Sequence, residues 1–100
     1  MRLAKKEINI IVETAKSIFK DRFHLTLFGS RIDDSRAGGD IDLLVTTENS
    51  LEEAVPQKIR FLAQLISKLG EQKIDVVLKA KDSKDKLIYD VAQKEGIILC

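Results

Sequence analysis

Apolar positions divide the chain into runs that indicate alternating helices and strands. In residues 5–22 they recur every three or four positions, as on the apolar face of an amphipathic helix. Further helical patterns follow at about 57–69 and at 82–95. Short continuous apolar runs predict three buried strands, at 25–28, 41–45 and 73–78. This order predicts an α/β fold with a small sheet of about three strands flanked by helices.

Several residues mark the limits of the second helix. Ser50 and Glu53 have the spacing of a capping box, whereas Pro56 lacks a backbone N–H and predicts a break or kink. The main helix is therefore expected from about Gln57 to Leu69, with Gly70 as its stop. Four of its residues are expected to face the core: Ile59, Leu62, Ile66 and Leu69.

The third helix has its own boundary signals. Asp82 or Ser83 can serve as its N-cap, and Gly96 ends it. The apolar run 97–99 that follows is either a small edge strand or a contact for another chain, and the sequence leaves both open. The residues expected to point inward from this helix are Leu87, Ile88, Val91 and Ala92.

The polar residues between the first two strands determine how those strands pair. Gly29 and Ser30 lie where the first strand ends, and Asp40 lies where the second begins. These residues can share a site only if the two strands are antiparallel neighbours. The helix between the second and third strands has the length of a right-handed parallel crossover. The predicted sheet is therefore mixed.

Carboxylates gather at one end of this predicted sheet. Asp40 and Asp42 are two residues apart, so their side chains point to the same face of the strand. A divalent cation would relieve their mutual repulsion, and oxygen ligands suit Mg²⁺ or Mn²⁺. Asp75 lies near the start of the parallel third strand and can reach the same edge. Taken alone, Asp75 is explained as a solvated residue at the rim of the sheet.

The turn beside these acids carries hydrogen-bond donors of the kind that bind phosphate. Backbone N–H groups at Gly29 and Ser30, together with the Ser30 hydroxyl, can bind a phosphate. With the acids, this turn suggests phosphoryl or nucleotidyl transfer. The alternative is a small α/β domain whose acids only keep one sheet edge soluble. That alternative does not explain why a strand would begin with Asp-Ile-Asp beside a glycine turn.

The motif Gly29-Ser30, nine residues, then Asp40-Ile41-Asp42-Leu43 resembles the signature of the nucleotidyltransferase superfamily that includes DNA polymerase β. The small size and the Leu27-Phe28-Gly29-Ser30-Arg31 opening resemble the minimal, or MNT-type, nucleotidyltransferases. The resemblance extends from the first strand to the last helix. After Ser30 the chain departs from it, since Arg31-Ile32-Asp33-Asp34 stands where the family has Arg-x-Arg-Gly.

This resemblance implies a two-metal mechanism with ATP as the substrate and Mg²⁺ (or Mn²⁺) as the cofactor. The residues implied as catalytic and metal-binding are Asp40, Asp42 and Asp75. Those implied to bind the nucleotide are Gly29, Ser30 and Arg31. Arg31 can neutralise charge on the leaving pyrophosphate or form a surface salt bridge, and both interpretations stay open.

The resemblance also implies a biological role. An MNT-type protein would transfer AMP from ATP to a tyrosine of a HEPN-domain ribonuclease toxin encoded nearby, and would act as its antitoxin. The alternative is a catalytically inactive nucleotide-binding partner that neutralises the toxin by contact. Modification of an antibiotic or of RNA is less favoured, because the enzymes that do this add a further domain.

Composition sets outer bounds on these hypotheses. A chain of 100 residues predicts one domain over 1–100, and a formal net charge of +1 gives no strong case for direct nucleic-acid binding, which would need a local basic patch. The single cysteine, Cys100, allows no intrachain disulfide, which suits a cytoplasmic protein. No run reaches the length of a membrane span. The apolar tail and the missing second lobe predict a partner protein or a homo-oligomer.

Overall fold

The computed structural model describes residues 4–20, 22–29, 41–70 and 73–100. In chain order, the elements of these residues are α1 (Lys5–Phe19), β1 (Phe23–Phe28), β2 (Ile41–Thr47), α2 (Leu51–Leu69), β3 (Ile74–Lys79), α3 (Leu87–Glu95) and β4 (Ile97–Ile98). The α/β class and the order of elements predicted from the sequence are confirmed.

The described strands form one mixed sheet in the order β3-β2-β1-β4. Strand β2 pairs antiparallel with β1 and parallel with β3, as the sequence predicted. The sheet has four strands where about three were expected, because the apolar tail forms β4 and pairs antiparallel with β1. Beyond β4, the backbone of Leu25 donates to the carbonyl of Cys100 (2.8 Å) and accepts from Leu99 (2.7 Å). The tail is therefore an edge strand of this chain.

Helix α1 covers one face of the sheet with the apolar stripe that the sequence predicted. Ile11, Ala15 and Phe19 are fully buried there, and the ring of Phe19 meets that of Phe61 edge-on at 5.6 Å. The helix is shorter than the predicted 5–22. It ends at Phe19 because Lys20 takes a left-handed φ of 66° and donates its backbone N–H back to the last turn.

Helix α2 runs through Pro56 without interruption, so the predicted start at Gln57 is wrong. Ser50 acts as N-cap, and its side chain accepts from the backbone N–H of Glu53 (3.5 Å). Pro56 lies in the second turn and removes only the hydrogen bond to the carbonyl of Glu52. Since Glu52 is exposed, water can bond to that carbonyl instead.

The buried face of α2 differs from the predicted one. Phe61 and Leu65 are fully buried, and Leu62 and Leu69 are half-buried against the same core. Ile59 and Ile66 remain 62% and 49% exposed. The apolar stripe of α2 is wider than the surface it covers, and the large Phe61 side chain fixes which part of that stripe faces the sheet.

Helix α3 begins at Leu87, later than the predicted residue 82. Asp82 and Ser83 are therefore not its N-caps, and their side chains satisfy other backbone groups. The Asp82 carboxylate accepts from the N–H of Leu51 at the start of α2 (2.7 Å), and the Ser83 hydroxyl accepts from the N–H of Ala80 (2.8 Å). The segment before α3 thus ties β3 to the N-terminus of α2.

The inward residues of α3 are Tyr89 and Ala92, and the expected Leu87 is 78% exposed. Ile88 and Val91 are also exposed, so of the four predicted residues only Ala92 is buried. A second core cluster forms on this opposite face of the sheet from Phe28, Leu44, Tyr89 and Ala92, with Val77 packed against it. The strands are thus covered by α1 and α2 on one face and by α3 on the other.

Within the ranges described above, no helix combines the length and the apolar character needed to cross a membrane.

Candidate functional site

The turn after β1 and the start of β2 lie against each other at Gly29. Gly29 has a φ of +80°, a left-handed conformation that favours glycine. A Cβ built on Gly29 would overlap Oδ2 of Asp42 and lie 3.1 Å from its Cγ. The Asp42 carboxylate therefore occupies the space beside Gly29, and only glycine leaves that space open.

Asp42 and Asp75 are register partners on neighbouring parallel strands. Paired strands lie about 4.8 Å apart, and partners in register point to the same face. Asp42 is half-buried and has further interactions of its own, whereas Asp75 is exposed at the edge strand. The register thus brings together two of the three acids that the sequence selected.

Burial on either side of each acid shows which face they share. Ile41 and Leu43 flank Asp42, and Ile74 and Val76 flank Asp75, and all four belong to the core beneath α1 and α2. Because side chains alternate along a strand, both carboxylates lie on the opposite face, which also carries α3. They occupy the N-terminal end of β2 and β3, beyond the apolar cluster around Tyr89.

Three of the predicted site residues, Ser30, Arg31 and Asp40, lie outside the described residues. Ser30 directly follows Gly29 in the chain, and Asp40 directly precedes Ile41. Their assigned roles in phosphate and metal binding stay predictions.

Among the described residues, no group of three or more His, Cys, Asp or Glu side chains is placed to hold a metal ion. Asp42 and Asp75 supply two carboxylates on adjacent strands, one of them open to solvent. Oxygen donors in this arrangement fit Mg²⁺ or Mn²⁺, which keep several water ligands and need few protein carboxylates. The pair therefore fits a divalent cation that also contacts a bound phosphate.

Tyr89 contacts the strand that carries Asp75, and it was not among the residues predicted from the sequence. Its hydroxyl is buried and donates to the carbonyl of Leu78 in β3 (2.9 Å), and Lys79 Nζ lies 5.5 Å from the centre of its ring. These contacts hold α3 against the strand that carries Asp75. The spacing of Tyr89 and Ala92, three residues apart on one helix face, was the signal that could have identified it.

The arrangement can act on a phosphate-bearing ligand. The left-handed turn at Gly29 brings the chain end of β1 beside an acid of β2, and the register places a second acid one strand further along.

Comparison with known proteins gives one match to a protein family. A family described as "Polymerase beta, Nucleotidyltransferase" matches residues 7–100, which is nearly the whole chain. No curated protein matches the chain.

Proposed function

Since the chain belongs to the polymerase β-type nucleotidyltransferase family, we propose that it transfers AMP from ATP to a hydroxyl group of another protein. The family supports nucleotidyl transfer as the general activity. The acceptor we propose is a tyrosine of a HEPN-domain toxin encoded nearby, which would make the chain an MNT-type antitoxin. This finer assignment is supported by the Leu27-Phe28-Gly29-Ser30-Arg31 motif.

The observation that carries the proposal is the register of Asp42 with Asp75, with Gly29 against Asp42. Nucleotidyl transfer needs acids on both sides of the reacting phosphate, one toward the nucleotide and one toward the acceptor. Asp42 lies on the side of the Gly29 turn, and Asp75 lies one strand away from it.

The proposed roles follow from these positions. Gly29, Ser30 and Arg31 would bind and orient the outer phosphates of ATP. Mg²⁺ held by Asp40, Asp42 and Asp75 would supply charge neutralisation on the phosphates and would lower the pKa of the acceptor hydroxyl.

The transfer step itself is an in-line displacement. The acceptor oxygen forms a bond to the α-phosphorus as the bond to the β-phosphate oxygen breaks, and pyrophosphate leaves with that electron pair. The proton of the acceptor hydroxyl would pass to solvent water beside the exposed Asp75. Because Asp75 is exposed, a hydroxyl presented by a second protein can reach this position.

Intact-mass spectrometry of the HEPN-domain protein after incubation with Mg-ATP tests the proposal. Wild type is expected to add AMP units, and Asp75→Asn is expected to add none while keeping most of its ATP affinity, because the lost group acts on the transition state. Glu13→Gln on the exposed face of α1 is the matched control and should transfer as wild type does. Transfer by Asp75→Asn at the wild-type rate would contradict the role of Asp75.

Two further outcomes separate the alternatives. If wild type suppresses the toxin and leaves its mass unchanged, the chain is a binding partner that neutralises by contact. Calorimetry with ATP isolates the nucleotide step, because affinity should fall when EDTA removes Mg²⁺ and should fall further for Asp42→Asn than for Glu13→Gln. Equal ATP affinity with and without EDTA would contradict the metal assignment.

A further inference from the structure

Strand β3 is an edge of the sheet, and half of its backbone groups point away from β2. The carbonyl of Lys73 accepts from the N–H of Ile41 in β2 (2.9 Å). Since the N–H and C=O of successive residues point to opposite sides of a strand, those of Ile74, Val76 and Leu78 face the open edge.

The C-terminal end of this edge is already covered. From outside the sheet, the Tyr89 hydroxyl donates to the Leu78 carbonyl (2.9 Å), and the Ser83 hydroxyl accepts from the N–H of Ala80 (2.8 Å). In the part of the chain that the structure describes, the outward groups of Ile74 and Val76 have no partner beyond the sheet. An edge with unpaired groups is a template for another strand.

The helices on both faces of the sheet carry exposed apolar residues beside this edge. On α2, Leu51, Val55 and Ile59 are spaced by four residues, which places them on one face of the helix. Ile88 of α3 lies across from them, and together they enclose a groove of about 820 Å³. The strand residues that line its floor are Val76, Val77 and Leu78. The groove therefore has apolar walls above and below the position that a fifth strand would occupy.

The rim of the groove is positively charged. Lys58, Lys84 and Lys86 line it, and Asp82 is the single acid among the described residues that do so. The Asp82 carboxylate accepts from the N–H of Leu51, so it serves the N-terminus of α2. The groove thus favours a ligand with acidic groups at its ends.

A second copy of this chain does not meet that requirement. Pairing two β3 strands would add the partner's own groove lysines to these, together with Lys79 of each strand. Like charges at this density oppose association. The charge of the groove therefore selects a different protein.

We propose that this groove, lined by α2, β3 and α3, binds an extended segment of another protein that pairs with β3 as an added strand. The segment has alternating apolar residues, which contact Val55 and Ile59 on one side and Ile88 on the other, and acidic residues at its ends. The inference goes beyond nucleotidyl transfer and does not depend on it. It places the bound protein beside Asp75, since Val76 belongs to both the groove and the strand of that acid.

Fluorescence anisotropy with two labelled peptides tests this binding mode. One is a short peptide of alternating valine and threonine flanked by glutamate pairs, and the other has lysine pairs in their place. The glutamate peptide should bind about tenfold more tightly or better, and its affinity should fall as salt rises. In the complex, the amides of Ile74 and Val76 should become protected from hydrogen exchange, because they then donate to the peptide.

Matched variants assign the binding to the groove. Ile59→Gln should weaken the glutamate peptide about tenfold, whereas Ile66→Gln, on the same helix but outside the groove, should not. The double reversal Lys84→Glu with Lys86→Glu should weaken it further than the reversal Lys5→Glu with Lys6→Glu on α1. All of the substituted side chains are exposed, so the variants should fold as wild type does. Circular dichroism would verify this.

Several results would overturn the proposal. Equal affinity for the two peptides would show that the lysines do not contribute to binding. Unchanged amide hydrogen exchange at Ile74 and Val76 would show that the peptide does not pair with β3. A concentration-dependent dimer in light scattering that Ile59→Gln disrupts would assign the groove to a second copy. None of these measurements requires ATP, so nucleotidyl transfer can fail without affecting them.

Discussion

The Asp42 carboxylate occupies the space into which the Cβ of any other residue at position 29 would project. Gly29 and Gly70 have nearly the same positive φ, +80° and +81°, but a Cβ at Gly70 meets nothing within 4 Å. Comparing alanine substitutions at the two positions therefore separates two contributions to the free energy of unfolding. One comes from the positive φ, and the other comes from displacing Asp42.

Gly70→Ala should lower the free energy of unfolding by about 1 kcal/mol, because alanine disfavours a positive φ, and Gly29→Ala should lower it further, because its Cβ also displaces Asp42. Gly29→Ala should in addition weaken Mg²⁺-dependent ATP binding, since Asp42 must move. Urea denaturation and calorimetry measure the two effects. ATP affinity in Gly29→Ala equal to that of Gly70→Ala would show that the position of Asp42 does not matter for binding.

Asp82 connects two elements that are distant in sequence, and its loss should destabilise the fold. Its carboxylate accepts from the N–H of Leu51, one of the backbone donors that a helix N-terminus leaves open. Asp82→Ala should cost about 1 kcal/mol in the free energy of unfolding, as removal of an N-cap does. Asp85 is an exposed acid in the same segment and provides the control. Asp85→Ala should change the free energy of unfolding by about 0.5 kcal/mol at most. Equal losses in both variants would contradict the capping role.

The Tyr89 hydroxyl is the buried link between α3 and β3. Tyr89→Phe removes the donor to the Leu78 carbonyl and should cost about 1 kcal/mol in the free energy of unfolding. Thermal and urea denaturation would measure it. Ser17→Ala, which removes a bond from an exposed residue to the carbonyl of Thr14, should have a smaller effect. A stability unchanged by Tyr89→Phe would mean that water replaces the lost donor.

Cys100 should react slowly while the chain is folded. Partial burial raises the pKa of its thiol, and the nearby Lys16 opposes this by lowering it. Because the thiolate is the nucleophile, alkylation by iodoacetamide at about pH 8.5 should be slower in the folded protein than in urea. Lys16→Gln should move the folded profile to still higher pH, and Lys20→Gln should leave it in place. Identical profiles in the folded and unfolded chain would contradict burial of the thiol.

The same shift has a defined sign for stability. The folded state holds the thiol proton to higher pH than the unfolded state does, so the unfolded state binds fewer protons above its own thiol pKa. The free energy of unfolding should therefore fall as pH rises through the range between the two pKa values. Cys100→Ser should remove this part of the pH dependence.

The strand arrangement could be predicted from the sequence because the polar site residues can meet only if the strands pair in one way. Gly29 and Asp42 could share a site only across an antiparallel pair, and Asp75 could join them only from a parallel strand. The positions of Ser30, Arg31 and Asp40, which complete the predicted site, lie outside the described residues.

The buried faces of the helices were harder to predict. The spacing of apolar residues defines an apolar stripe on a helix but does not say which part of that stripe faces the sheet. On α2 the stripe extends from Val55 and Ile59 to Phe61 and Leu65, and packing against α1 buries only the second pair. The start of α3 was misplaced because Asp82 caps a helix that precedes it in the chain. The residues next to a candidate N-cap cannot identify a partner 31 residues away.

Leu25 lies in register with Val45 of β2 and gives both its backbone N–H and its carbonyl to the chain's last residues, which sets the order in which the sheet can be completed. During synthesis, β1 and β2 leave the ribosome before β3 and β4 and can pair with each other first. The outer edge of β1 stays open until residues 97–100 have left the ribosome, and through that period its backbone can pair with other nascent chains. The outer edge of β1 is therefore closed last, by residues about seventy positions further along the chain.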